Sequence, residues 1–164
     1  MAELTNLEEK LAEVTGLAMA AQTATDKVMK LTEQQDQSLV ATLQTMAEEA
    51  ARTEERCVEL AGRFEGKKTA ILDEAREVKQ KAAKMMDTYL DPDAEALDGF
   101  EFLTMAEAAE VGHWSVLGTM NRSAGNSELR ELVEWALPIQ ERHLRDVLDG
   151  STTLAAEEDP NETA

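Results

Sequence analysis

The chain is poor in the residues that build disulfide scaffolds, sheets and loops. A single cysteine, Cys57, stands among 164 residues, so no internal disulfide and no cysteine cluster for zinc can form. Eight glycines, three prolines and 4% aromatics leave too little turn and strand material for a sandwich, barrel or collagen-like fold. Positive charge is scarce as well. Sixteen Lys and Arg face 34 Asp and Glu, a formal net charge of −18 that repels nucleic acid and anionic membrane surfaces. No run of about 18 apolar residues is present to cross a membrane. The first eleven residues carry acids in place of a basic and then apolar leader, so a cytoplasmic protein without a signal peptide is expected.

What is present is helix-forming. The chain is 43% hydrophobic and rich in Ala, Glu, Leu, Met and Lys, all strong helix formers. Apolar residues recur at helical spacing in five stretches. They predict helices over about Thr5 to Leu31, Gln37 to Phe64, Thr69 to Tyr89, Ala94 to Asn121 and Glu128 to Leu148. Asp91-Pro92-Asp93 is expected to stop the third helix and cap the fourth, and Ser127 to cap the fifth. Gly125 and Asn126 suit a left-handed turn, and Gly150 reads as the end of the fifth helix. Residues 1–150 are expected to form one helical bundle, with 151–164 an acidic, mobile or weakly docked tail. Short connections between long amphipathic helices predict antiparallel neighbours. The expected fold is an all-α four-helix bundle of the first, second, fourth and fifth helices, the short third being added between the halves.

Polar residues interrupt two of the stripes. On the fourth helix the series Leu103, Ala106, Glu110, His113, Leu117 places a carboxyl and an imidazole where apolar side chains belong, with Glu107 and Trp114 beside them. On the fifth, Gln140 and His143 interrupt Val133, Ala136 and Val147 at the same three-residue spacing, close to Pro138. These are the only histidines, and buried polar groups are costly unless paired. A Glu-x-x-His pattern projecting into a bundle core can build a carboxylate-bridged metal site, and this donor set suits iron, manganese or zinc. Glu54, among small residues, is the best carboxylate on the second helix, with Glu49 at the edge of the stripe. Glu13, Thr15 and Gln22 are the first helix's polar residues near the core. The rival account is a hydrogen-bonded His-Gln-Glu network that fixes helix register without any ion. Cys57 and the methionines read as core filling, Trp114 and Trp135 as core cover. Met85, Met86 and Tyr89 on the third helix offer a contact surface for a partner or a second copy.

Leu7-Glu8-Glu9-Lys10, Thr53-Glu54-Glu55, Glu110-x-x-His113 with Leu117-Gly118-Thr119-Met120, and the segment Leu132 to Leu144 together carry a likeness. Over roughly residues 5 to 148 the chain resembles the small bacterial ferritin-like proteins of the YciE/YciF type. The resemblance implies a ferritin-like dimer associated with stress responses. It implies a metal site drawing on Glu54, Glu110, His113, Gln140 and His143, holding iron or manganese ahead of zinc, with peroxide or oxygen as the reactant of a redox-active ion. The chain departs from the family pattern at Val14 and Gln140, where carboxylates are expected, which favours a single-metal or metal-free interior.

Overall fold

The structure is a computed structural model that describes residues 2–163. It is all-helical, with α1 (Asn6–Thr32), α2 (Gln37–Ala61), α3 (Lys68–Tyr89), α4 (Ala96–Ala124) and α5 (Ser127–Ala155), and no strand among the described residues. None of these helices is long and apolar enough to cross a membrane.

Local chemistry sets the boundaries. Thr5 and Glu8 form a reciprocal capping box at the start of α1, and Asp36 accepts from the Ser38 amide to open α2. Two caps differ from expectation. α4 is opened by a reciprocal box between Glu95 and Asp98, not by the Asp91-Pro92-Asp93 turn. Asn126, not Ser127, caps α5, its Oδ1 accepting from the Leu129 amide at 2.9 Å while Asn121 holds the Asn126 backbone. Gly125 takes the left-handed conformation that ends α4, at φ 71°.

The largest difference lies at the end of α5. The helix runs through Gly150 to Ala155 and buries Ser151 and Leu154, so the expected tail from Ser151 begins instead with five more helical residues. Gly150 is a point of close approach and not a terminator. A Cβ there would lie 2.3 Å from the Phe100 ring, so only glycine lets α5 pass this close to α4.

The apolar interior falls into two layers. One gathers Leu11, Val14, Leu60, Trp114, Leu117 and Leu129, and the other gathers Val28, Leu43, Met46, Phe100, Leu103 and Val147. α1 and α5 run from the first layer to the second, and α2 and α4 run back. Consecutive helices are therefore antiparallel. α1 packs on α2, α3 and α4, α5 on α4 and on α2, and α3 lies along α1 with only slight contact to α2 and α4. Between the two layers every helix crosses a middle belt. Here α1 contributes small residues, while α2, α4 and α5 contribute the polar residues singled out above.

Candidate functional site in the polar belt

Five side chains from three helices meet in the belt. α2 brings Glu49, α4 brings Glu107 and Glu110 one turn apart, and α5 brings Gln140 and His143. Glu107, Glu110, Gln140 and His143 are each at most 3% exposed. His143 Nε2 lies 2.7 Å from Glu49 Oε2, and its Nδ1 lies 3.6 Å from Glu107 Oε2. Arg142 donates to the same Glu49 carboxylate from the solvent side. Gln140, its NH2 turned towards the carboxyls, donates to Glu107 at 3.0 Å and to Glu110 at 3.2 Å. The path Arg142, Glu49, His143, Glu107, Gln140, Glu110 is thus continuous.

The charges follow from this pairing. Burial alone would lower the His143 pKa, but the Glu107 and Glu49 carboxylates outweigh it and raise it, favouring the imidazolium. Burial and the neighbouring Glu107 push Glu110 well above the usual carboxylate range. Glu49 goes the other way. Arg142 and His143 overcome its desolvation and lower its pKa.

The belt includes the sequence-derived candidates Glu110, Gln140 and His143. Glu54 and His113 are held elsewhere. Glu54 is half-buried and accepts from Gln22 of α1. His113 has a side chain 41% exposed, and its Nδ1 lies 2.9 Å from Glu13 Oε2, a carboxylate already bridged to Lys10. Lys10 and His113 outweigh desolvation and lower the Glu13 pKa. Of the α1 candidates, Glu13 and Gln22 each meet a belt-level residue, whereas buried Thr15 bonds the Leu11 carbonyl in its own helix. Cys57 is fully buried in the first apolar layer, and burial pushes its thiol up to about 12.

Glu49 and Glu107 carry more of the network than the periodicity assigns them. One sequence feature bears on Glu49. Glu54-Glu55-Arg56-Cys57 on α2 and Gln140-Glu141-Arg142-His143 on α5 repeat one pattern of acid or amide, glutamate, arginine and a buried fourth residue. The arginines cross reciprocally between these two helices. Arg56 lies over the Trp135 ring of α5, 4.2 Å from its centroid, while Arg142 reaches Glu49 of α2. This fixes one antiparallel register for the pair.

As they stand, the donors face one another. Among the described residues no group of three or more His, Cys, Asp or Glu side chains is placed to hold a metal ion. The five-residue ligand set implied by resemblance does not converge. A smaller set, Glu107, Glu110 and His143, stays together. The only buried side-chain polar atom without a partner among the described residues is Trp114 Nε1, a donor that no cation could use. No protein-family profile, curated protein or solved structure matches this chain.

Proposed function

We propose that this protein is a ferritin-like antiparallel four-helix bundle of α1, α2, α4 and α5, with α3 added against α1. It works as a non-catalytic binding module whose polar belt holds the helices in register. The neighbours α1–α2, α2–α5, α5–α4 and α4–α1 close a ring, which supports the bundle. The observation that carries the functional reading is the pairing of His143 with carboxylates on both ring nitrogens, continued through Gln140 to Glu110. Glu49, Glu107 and Glu110 each already accept from a proton donor of the same chain, Glu110 through Gln140 alone. A cytoplasmic location and a homodimer belong to the same ferritin-like reading.

A second reading has its own support. His143 Nε2 rests on Glu49 while Nδ1 faces Glu107, the orientation that a carboxylate imposes on a ligating imidazole. On that reading Glu107, Glu110 and His143, which are not placed around a common point as they stand, would turn together to hold one iron or manganese ion, with zinc behind them, and Glu49 would fix the ring. A redox-active ion there would supply electron transfer to peroxide or oxygen, in keeping with a stress-related role. The chain's part would be to exclude water and hold the three donors.

Metal analysis by mass spectrometry on untagged protein separates the two. The first reading expects no bound ion after aerobic reconstitution with ferrous iron, and a thermal midpoint unchanged by chelator. Near-stoichiometric iron or manganese, lost in a Glu107→Gln, His143→Ala variant, would sink it and establish the second.

A further inference from the structure

α3 and α4 barely touch, and between them a cavity of about 370 Å³ opens down to α1. Its floor is Leu17, Ala20, Ala21 and Ala24, and its walls include Met86, Phe102 and Leu103. Met85, Tyr89 and Met105 stand at its mouth, 59%, 55% and 48% exposed, three of the most exposed large apolar side chains in the molecule. Such a groove lies at the lower end of the size range of ligand sites, about 300–1,000 Å³. Methionines suit it to an elongated, flexible guest.

The belt end of this cavity is acidic. Glu107 and Glu110 both line it. Of the three buried glutamates, Glu8 has Lys67 at 3.8 Å and Glu107 has His143 at 3.6 Å. Glu110 alone has no basic side chain within 4 Å among the described residues, and its one protein partner is the neutral amide of Gln140. Two basic groups also border the space, but neither offers an equal anchor for an anion. His113 is already on Glu13, and Lys79 is exposed at the rim, where solvent weakens its field. A net charge of −18 further draws cations towards the molecule.

We infer that this groove binds an apolar amine, with its hydrocarbon part along Met86, Phe102 and Leu103 and its ammonium on the buried carboxyl of Glu110. The inference names the ligand class of the binding module proposed above, and it rests on that reading in requiring an ion-free belt. Charge and burial then divide the work. The apolar walls set the affinity common to any alkyl chain, and Glu110 selects the cation.

The test is calorimetric titration of untagged, chelator-treated protein, its metal content measured first, with decylamine, decanoate and decanol. Decylamine is expected to bind at least about tenfold more tightly than either comparator, as one charge-assisted contact supplies. Glu110→Gln should bring the three ligands to within about threefold of one another, while the apolar affinity remains. Ala21→Leu, which fills the floor with a good helix former, should weaken all three. Equal affinities in the wild type, or an amine preference that survives Glu110→Gln, would overturn the inference. So would a stable dimer that Ala21→Leu converts to monomer, since a second copy would then occupy the groove. Absence of binding in demonstrably ion-free protein overturns this inference alone and leaves the reading of the belt to the metal analysis.

Discussion

His143 and His113 occupy equivalent places in sequence, each three residues after a buried polar residue, and they have different fates. His143 is 2% exposed and meets carboxylates from α2 and α4 on its two ring nitrogens. The His113 side chain is 41% exposed and meets one carboxylate, from α1, which Lys10 already neutralises. The difference is one of neighbours. α2 and α4 close over the middle of α5, whereas α3 and α4 diverge and leave His113 at the edge of a groove. Helical spacing alone does not decide whether a polar residue on a stripe becomes a buried ion pair. The helix that covers it does.

The sharpest way to break this comparison is to remove each imidazole in turn. His143→Ala leaves Glu107 buried beside a void and Glu49 with Arg142 alone, and losing one partner of a buried ion pair costs about 3–5 kcal/mol. Urea denaturation should register that loss, whereas a change below about 1 kcal/mol would mean that water reaches the belt. The apolar layer offers a second contrast. Gly150→Ala puts a methyl 2.3 Å from the Phe100 ring, and overpacking of this kind costs about 1–3 kcal/mol. A neutral result there would mean that α5 stands farther from α4 than in this structure.

Acidity sharpens the same contrast. His143 and Glu110 bind protons more tightly folded than unfolded: His143 because its carboxylate partners outweigh its burial, Glu110 through burial and Glu107. Each stabilises the fold below its ordinary pKa, 6.5 and 4.5, and that contribution is lost as pH rises through the folded value. Glu49 and Glu13, lowered despite desolvation by their basic partners, act in the opposite sense and lose their contribution as pH falls below 4.5. The urea midpoint of ion-free protein should therefore fall from about pH 5.5 to about pH 8.5. His143→Gln should flatten the upper part of that fall. An unchanged slope in His143→Gln would mean that the ring is not cationic in the fold.

Much of this architecture is legible in the amino-acid order. The five helices follow from apolar spacing, and the interruptions at Glu110, Gln140 and His143 mark the belt because all three are buried. Helical period places a residue on a sector of its own helix and is silent about the facing helix. That is why Glu49 meets His143 while Glu54, five residues on and nearer the centre of its stripe, turns to Gln22 of α1. Gly150 misleads for a related reason. Glycine serves both chain reversal and close packing, and only the position of Phe100 distinguishes the two.

His113→Ala should have the smallest effect, about 0–1 kcal/mol in urea, the range for partly exposed ion pairs. The side chain gives up one contact, and Glu13 keeps Lys10 at 2.7 Å, so no carboxylate is left alone. A double-mutant cycle with Glu13→Gln isolates the pair, and its coupling should also stay below about 1 kcal/mol and shrink with added salt. A salt-insensitive coupling of several kcal/mol would require His113 to be as enclosed as His143. That in turn would require α3 to close on α4, and the groove beside Glu110 would no longer admit a guest.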